Sequence, residues 1–412
     1  MSTWLTPEAL EQGRRILAAG PICDECLGRG FARLGHGLTN AMRGSALREA
    51  LDAGEAAARC WVCDGLFERT EAWATQAVEA AAGIEFDTYL FGVQLTPRLE
   101  EMEAFRLERF ATDSSESLKH AFNRAVGRAF ERRIGGGTVD FADPHVSFVI
   151  DLANSQLSMH VASLYVCARY RKLARGIPQT RWPCRKCRGK GCSACGMTGK
   201  QYAESVEEWI GAPLLEAAEG AEHRFHGAGR EDIDARMLGT GRPFVLEVVS
   251  PRRRRIDLRV ARERINEQAE GRVEVSELSF VDRSVVARLK TIDATKRYAA
   301  EVLLDGDVNA SELDAALASL VGAIEQRTPV RVSHRRADKV RTRHVLEILG
   351  KWIDARHAMV KIEGEGGLYI KELISGDGGR TAPSLAERLG VGARVISLDV
   401  LDVSSKAFDA FM

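Results

Sequence analysis

Residues 229–244 read GREDIDARMLGTGRPF and place three acids within four positions, Glu231, Asp232 and Asp234, between Arg230 and Arg236. The glycines around these acids permit backbone conformations that other residues adopt rarely. Three interpretations are open: a solvated turn whose acids pair with the arginines, a metal site, or a catalytic loop with one working carboxylate. The rest of the chain has to decide among them.

A magnesium site in this loop would lack the additional ligands that such sites usually have. Two acids separated by one residue can bind Mg²⁺, but such sites generally add a phosphate-cradling loop or further carboxylates. The sequence contains no P-loop motif and no clear acid cluster that could accompany the loop. The metal interpretation is therefore disfavoured, and no nucleotide cofactor is expected.

Length and composition indicate a soluble protein of more than one domain. A chain of 412 residues exceeds what one hydrophobic core usually serves. The 58 basic and 58 acidic side chains cancel, so a nucleic-acid partner would have to meet a local basic face. No apolar run approaches the roughly 20 residues that cross a bilayer, and Met1–Gly20 carries acids where a signal peptide would be apolar. We expect a cytoplasmic protein with no membrane contact.

Eight of the nine cysteines form four C-x-x-C pairs. In a large chain with no secretory signal, this spacing favours metal binding over disulfides. Two pairs can complete one tetrahedral zinc site. The pairs predict two structural zinc sites, one from Cys23, Cys26, Cys60 and Cys63 and one from Cys184, Cys187, Cys192 and Cys195. Reduced cysteines without metal are the alternative.

Catalytic zinc is disfavoured by the histidines. The stretch PCRKC at 183–187 matches half of the nucleobase-deaminase signature, which also requires an upstream His-x-Glu. None of the nine histidines has Glu at the second following position. We therefore expect the zinc to be structural. Cys167 stands alone in an apolar stretch and is assigned to the core.

The pattern of apolar residues divides the chain into three predicted domains. Residues 1–83 form a zinc-stapled helical module. Residues 84–173 form an α/β unit with strands in FDTYLFGVQL, HVSFVIDL and LSMHVASLYVCARY. Residues 174–412 form an α/β or α+β domain with a zinc knuckle inserted at 184–195. Its strands are predicted at FVLEVVS, VEVSELSFV, KRYAAEVLLD, PVRVSHR, AMVKIEGE and RVISLDVLDV.

The opening loop resembles the catalytic loop of the archaeal and eukaryotic tRNA pseudouridine synthases of the tenth eukaryotic-type class. Its Gly-Arg-x-Asp core also resembles the loop of the TruA-type pseudouridine synthases. The stretches YRKLARGIPQTRW, VSPRRRR, KRYAAEVLL, TPVRVSHRRADKVRTR and GLYIKELISGDGGRTAPSL follow in the family's order. The resemblance implies a pseudouridine-synthase domain with a mixed, largely antiparallel sheet flanked by helices. The N-terminal half resembles the family's zinc knuckle and THUMP-like RNA-binding unit.

The resemblance implies a reaction without a catalytic cofactor. Uridine becomes pseudouridine when its N1 glycosidic bond breaks, the base turns, and C5 bonds to the same ribose carbon. Bond breaking develops positive charge on the sugar, which a carboxylate can stabilise or trap. By the resemblance this carboxylate is Asp232, with Asp234 as the alternative, acting either as nucleophile or as base.

The resemblance also assigns the residues around the acid. Tyr298 matches the tyrosine that stacks on the target uracil, and Lys371 matches the basic partner, which favours the charged carboxylate. Leu373 is expected to form an apolar wall of the pocket. Arg230 is expected to hold the flipped nucleotide or to fill the space that it leaves. For Tyr298, Lys371 and Leu373 the alternatives are a strand aromatic, a surface lysine and a core leucine.

Two basic stretches, RRRR at 252–255 and RVSHRRADKVRTR at 331–343, are predicted to lie beside the active loop and to contact phosphates, although each alone could be a solvated face. The residues assigned to RNA are Arg252, Arg253, Arg331, His334, Arg335 and Arg336. We expect a tRNA pseudouridine synthase acting at T-arm positions 54 and 55, with the T arm and elbow as the partner. The alternative is a non-catalytic tRNA-binding or RNA-chaperone protein on the same fold.

Overall fold

A computed structural model describes residues 4–292, 294–333, 337–404, 408 and 410. The chain divides into two compact units, Met1–Ser163 and Leu164–Met412. Within the described ranges, no helix is both long enough and apolar enough to span a bilayer.

Unit 1 begins with helices that are defined by side-chain caps. Thr6 and Thr39 accept hydrogen bonds from the first-turn backbone of their helices, and Pro7 starts the first. The helices of this part are α1 (Pro7–Ala18), α2 (Asp24–Gly28), α3 (Asn40–Leu51) and α4 (Thr70–Ala80). Their buried side chains share one hydrophobic core with the sheet that follows.

The sheet of unit 1 has the order β2-β1-β3-β4. Its strands are β1 (Thr88–Gln94), β2 (Thr138–Val139), β3 (Val146–Asp151) and β4 (Gln156–Val161), and its helices are α5 (Pro97–Phe110) and α6 (Leu118–Ile134). β1 pairs in parallel with β2 and β3, whereas β4 is antiparallel to β3. Burial alternates along β1, so Tyr89, Phe91 and Val93 share the core face on which α6 packs.

Unit 2 is built on one large sheet with the order β14-β11-β12-β13-β10-β15-β7-β5-β8, with β6 on β7 and β9 on β5. The strands are β5 (Leu164–Lys172), β6 (Glu222–Gly227), β7 (Arg236–Val249), β8 (Val273–Val275), β9 (Ser279–Phe280), β10 (Thr295–Leu304), β11 (Gly322–Arg327), β12 (Val340–Asp354), β13 (His357–Gly364), β14 (Thr381–Ala382) and β15 (Ala393–Ser404). The helices are α7 (Val206–Ala217), α8 (Leu258–Gln268), α9 (Ser284–Thr291), α10 (Ala310–Ala318), α11 (Ile370–Ser375) and α12 (Leu385–Leu389).

The predicted mixed, largely antiparallel sheet flanked by helices is confirmed. Its described pairings are antiparallel except for β7 with β15, where Arg236 lies opposite Asp399 and Met237 opposite Val400. The strands stay close beyond this register, because the Thr240 hydroxyl donates to the Asp402 carboxylate. The parallel register places the loop that precedes β7 beside the middle of β15.

Three local predictions differ from the structure. β5 was assigned to the domain ending at residue 173, but its backbone pairs with β7, so it belongs to unit 2. β7 begins at Arg236 rather than at Phe244, so half of the opening stretch is strand. The expected strand at 329–335 contains a 3₁₀ turn, Val330–Val332, because the Val330 N–H bonds to the Asp377 carboxylate instead of to a neighbouring strand.

Candidate active site

A cavity of about 280 Å³ opens beside the parallel junction of β7 and β15. This volume lies near the lower end of the usual range for small-molecule pockets, roughly 300–1,000 Å³. Arg230, Asp232, Tyr298 and Lys371 all line it, although they come from three distant parts of the sequence. The structure thus brings four of the predicted site residues together.

The three acids of the loop have different environments. The Asp232 side chain is 29% exposed and lines the cavity, with its Oδ1 3.0 Å from Arg331 Nη1 and its Oδ2 3.5 Å from Lys371 Nζ. The Asp234 side chain is 68% exposed and pairs with Lys371 at 2.8 Å. Burial alone would raise the pKa of Asp234, but the Lys371 hydrogen bonds lower it. Asp232 is the better placed of these two for chemistry in the cavity.

Arg331 occupies a position that the sequence did not suggest. It was predicted to contact RNA phosphates, but its guanidinium lies in the cavity between Asp232 and Glu372, with Nε 2.6 Å from Glu372 Oε1. Burial alone would lower the pKa of Arg331, but Glu372 and Asp232 together raise it above its usual value. Asp232 therefore has two cationic partners, Arg331 and the predicted Lys371.

Glu231 belongs to the cavity lining, but its side chain is buried and anchors the loop. Its side chain is fully buried and accepts hydrogen bonds from Arg242 Nε at 2.9 Å and from the Tyr170 hydroxyl at 2.8 Å. Lys172 Nζ lies 3.8 Å from the same carboxylate. A buried carboxylate needs such partners because desolvation opposes its charge. The residue next to Asp232 in sequence is therefore a structural acid.

Side chains also bind successive backbone carbonyls of the loop. Lys172 Nζ donates to Asp232 O at 3.1 Å and Ile233 O at 3.3 Å. Others donate to the carbonyls on either side, namely Arg242 to Ala228, Gln179 to Gly229 and Arg175 to Asp234. These bonds fix the backbone that carries Asp232. Such fixing of a catalytic group is what positioning in an active site requires.

β10 contributes Tyr298 and, two residues earlier on the same face, Lys296. Tyr298 is 9% exposed, and burial raises its pKa to about 12. Burial, assisted by nearby Arg242, lowers the pKa of Lys296 to about 8. A Cβ atom at Gly229 would lie 3.1 Å from Arg242 Nη1 and 3.2 Å from Lys296 Nζ, so glycine leaves room for both cations. No local pattern in the sequence identified Lys296 or Arg242 as cavity residues.

The expected apolar wall is formed by other residues than Leu373. Leu373 is fully buried in the core of unit 2 and does not line the cavity. Its position in α11 turns it inward, whereas Ile370 and Lys371 of the same helix face the cavity. The apolar lining consists of Ala235, Val332, Leu368, Ile370, Leu398 and Val400.

Arg252 and Arg253 lie away from the cavity. They follow the end of β7, and the seven residue-to-residue steps from Arg242 to Val249 span about 23 Å at about 3.3 Å per step. Both are near Glu219, with Arg253 Nε at 2.6 Å. The expectation that this stretch lies beside the active loop is therefore wrong, and a phosphate contact there would be a separate one. His334, Arg335 and Arg336 lie outside the described residues.

Both cysteine sets converge as metal ligands should. In each set the four sulfurs lie within 4.8 Å of one another. Measured pairs are Cys23–Cys63 at 3.6 Å, Cys187–Cys195 at 3.8 Å and Cys192–Cys195 at 3.7 Å. A tetrahedral zinc ion with Zn–S bonds of about 2.3 Å separates its sulfurs by about 3.8 Å. Both sets therefore fit a tetrahedral thiolate-bound metal ion.

Backbone amides support the second set. The N–H groups of Gly191 and Gly199 donate to Cys187 Sγ and Cys195 Sγ, each at 3.2 Å. A Cβ atom would lie 2.8 Å from Met197 O at Gly191 and 2.3 Å from Gly189 O at Gly199, and both glycines have positive φ. The glycines are thus required for the turns that converge the sulfurs.

Comparisons with known proteins agree with this architecture. The family model described as Pus10, C-terminal, matches residues 165–404, and the model described as Pus10 THUMP domain, archaeal, matches residues 73–151. A Halorubrum lacusprofundi protein named tRNA pseudouridine synthase Pus10 is 49% identical over 97% of both chains. A Methanothrix thermoacetophila protein of the same name is 45% identical over 94% of this chain and 93% of its own.

A fold comparison also finds solved structures of low similarity. The crystal structure of a Cbf5-Nop10-Gar1 complex matches with a TM-score of 0.31 and 20% identity, covering 48% of this chain and 45% of that chain. The family assignment rests on the two family models and the nearly full-length relatives. This chain belongs to the Pus10 family.

Proposed function

We propose that this protein isomerises uridine to pseudouridine in tRNA at the adjacent T-arm positions 54 and 55, with Asp232 as its catalytic carboxylate. The observation that carries the proposal is the pairing of Asp232 with Arg331 and Lys371 inside a cavity that Tyr298 also lines. The names of the archaeal relatives, tRNA pseudouridine synthase, support the same reaction.

The geometry supports a specific division of work. The C1′–N1 bond of the target uridine breaks, and its electron pair stays with the uracil. Asp232 stabilises the resulting positive charge on the ribose or bonds to C1′. The uracil turns against Tyr298, C5 bonds to C1′, the C5 proton leaves, and N1 gains a proton. The net reaction is an isomerisation that consumes no co-reactant.

The remaining cavity residues prepare Asp232 for this role. Arg331 donates a hydrogen bond to Asp232 Oδ1 at 3.0 Å, and Lys371 Nζ lies 3.5 Å from Oδ2, so two cations hold the carboxylate in place. Glu231, Arg242 and Lys172 hold the backbone of its loop. Arg230 precedes the acids of the loop and lines the cavity, where it would help to hold the flipped nucleotide. The cysteine sets would hold structural zinc, with no part in the chemistry.

The T arm and elbow of tRNA are the proposed binding partner. Unit 1 matches the family's THUMP domain model over residues 73–151, and it would bind the tRNA by shape, as folded RNA is commonly recognised. The cavity of unit 2 would receive the extruded uridine. Extruding a base costs a few kcal/mol of stacking, which Tyr298 would partly restore.

Mapping of pseudouridine in a tRNA transcript tests the proposal. Carbodiimide adducts of pseudouridine stop reverse transcriptase, so treatment with the protein should create stops at positions 54 and 55. Transcripts with cytidine at one of the two positions are the controls, and each should lose one stop. Stops elsewhere would contradict the T-arm assignment. Binding without stops anywhere would contradict the reaction and favour the non-catalytic RNA-binding alternative.

A further inference from the structure

The second zinc knuckle carries a positive surface that the catalytic machinery does not use. Residues 181–200 contain six basic side chains and no acid. Four of them, Arg185, Lys186, Arg188 and Lys190, are exposed, and none has an ion pair with a carboxylate of the described chain. The patch stays positive when metal is bound, because four thiolates and a divalent ion leave only two negative charges.

The knuckle is held firmly at its base. Pro183 and Lys200 form a β-bridge, the Cys184 N–H donates to Gly199 O at 2.7 Å, and the Gln201 N–H donates to Trp182 O at 2.9 Å. Lys200 also pairs with Glu208 of α7. These contacts connect the cysteine turns to the body of unit 2.

The base of the knuckle touches the cavity lining. The guanidinium of Arg230 stacks over the Trp182 ring at 4.9 Å, and Arg230 lines the cavity. The Tyr202 ring packs edge-on against the Trp182 ring, with the centroids 5.5 Å apart. The four exposed cations are therefore on a short extension that starts at the edge of the cavity.

Resting on the proposed function, we propose that Arg185, Lys186, Arg188 and Lys190 bind backbone phosphates of the RNA that flank the nucleotide in the cavity. When the RNA inserts a single nucleotide into this cavity, the phosphates on either side of that nucleotide must lie near the cavity rim. A knuckle beside the rim that carries exposed cations and no acid of its own attracts those phosphates, and each contact releases condensed counterions. The contacts position the RNA and do not read its sequence.

The dependence of tRNA binding on salt tests this inference. In the full-length, metal-containing protein, all four cations are replaced by Gln, which is no more strained than Arg at the positive φ of Arg188. The slope of log Kd against log salt should become shallower by about 0.7–0.9 for each lost contact. The Kd at low salt should rise at least about tenfold. The kcat at saturating tRNA should stay within about twofold, since none of the four lines the cavity.

A matched control separates the effect of the knuckle cations from the effect of net charge. Lys351 and Lys361 are exposed on β12 and β13, and neither lines the cavity, so Lys351→Gln/Lys361→Gln should keep the wild-type slope. Metal content is measured in every variant. Should the fourfold variant lose metal, the single Arg188→Gln and Lys190→Gln variants replace it, each with a slope change of about 0.7–0.9.

The outcomes separate this inference from the proposed function. Wild-type slope and Kd in the knuckle variants, with normal pseudouridine formation, would overturn the knuckle assignment alone. If the knuckle variants change the salt slope but the wild type forms no pseudouridine, the RNA-binding surface would be supported and the proposed reaction overturned. Equal changes in the Lys351/Lys361 control would also overturn the assignment, because the effect would then be one of net charge.

Discussion

Glu231 and Asp232 show how adjacent acids acquire different roles. Both stand in one short motif, and the sequence could select Asp232 only by family resemblance. In the structure, Arg242 and Tyr170 distinguish the two acids, because they bind Glu231 in the core and leave Asp232 at the cavity. These partners lie on strands β7 and β5, so their approach is a tertiary event that a local pattern does not encode. The same applies to Arg331, whose arginine-rich context predicted a phosphate contact.

Replacement of Glu231 by Gln should destabilise unit 2. Arg242 would stay buried with its charge uncompensated, which typically costs about 3–5 kcal/mol. Urea unfolding of the full chain measures the change. Asp234→Asn, at an exposed position, should alter stability by less than about 0.5 kcal/mol. A Glu231→Gln variant as stable as Asp234→Asn would show that the buried network does not hold the loop.

Lys296 should make stability depend on pH. Burial lowers its folded-state pKa from 10.5 to about 8. Between these values the unfolded chain binds more protons than the folded one, so stability should rise as pH increases through this window. Lys296→Met should remove that rise and should stabilise the protein near pH 7 by on the order of 2 kcal/mol.

Urea unfolding at pH 7, 8 and 9 measures the difference between wild type and Lys296→Met. The exposed Lys361→Met variant is the control and should keep the wild-type dependence. An identical pH dependence in wild type and Lys296→Met would contradict the burial of the Lys296 charge.

At the scale of elements, the two cysteine sets have the same C-x-x-C spacing but differ in burial. Cys26, Cys60 and Cys63 are at most 2% exposed and belong to the core of unit 1. The fully buried Arg29 and Arg106 lie near this set. Burial alone would lower the pKa of Arg29, but Cys26 and Glu103 raise it, whereas burial and nearby Arg29 lower the pKa of Arg106 to about 10. The second set, by contrast, is part of a surface loop.

Loss of a ligand should therefore have unequal consequences. Cys26→Ser should remove one metal ion and abolish cooperative unfolding of unit 1, since metal binding to a core site is part of its folding free energy. Cys187→Ser should remove one metal ion with little change in the melting of either unit. Metal analysis and calorimetry measure both effects. Equal destabilisation by the two variants would contradict this contrast.

The sequence predicted elements well where a pattern is local. C-x-x-C pairs, the alternation in β1 and the run that forms β10 are all visible within a few residues. The described part of the predicted strand at 329–335, residues 329–333, was assigned wrongly because its valines alternate as in a strand. In the structure, Asp377 binds the Val330 N–H and Glu372 binds the Arg331 guanidinium. Leu373 was misplaced for a similar reason, since the helix rotation decides which side faces the cavity.

At the scale of the whole molecule, the two units have separate hydrophobic cores. The core of unit 1 draws on residues between Trp4 and Met159, and the cores of unit 2 on residues between Leu164 and Phe408. Family resemblance predicted both parts in order, but the boundary at residue 173 differed because residues 157–170 read as one strand, whereas β4 ends at Val161 and β5 begins at Leu164. Its membership could be decided only by its pairing with β7.

Fragments 1–163 and 164–412 should each fold alone, because each contains a complete core. Circular dichroism and thermal unfolding measure this directly. Fragment 164–412 contains the whole cavity, so it should keep the kcat for pseudouridine formation within about tenfold and show a raised KM for tRNA. A soluble, folded fragment 164–412 with no detectable kcat would contradict the assignment of all the chemistry to unit 2.

The central claim is that Asp232 carries out the isomerisation. Release of tritium from tRNA containing 5-tritiated uridine, under single-turnover conditions with excess protein, reports loss of the C5 proton. The wild type should release tritium, Asp234→Asn should stay within about tenfold, and Asp232→Asn should fall by on the order of 10³ or more while tRNA binding persists. Release by Asp232→Asn at the wild-type rate would contradict the account.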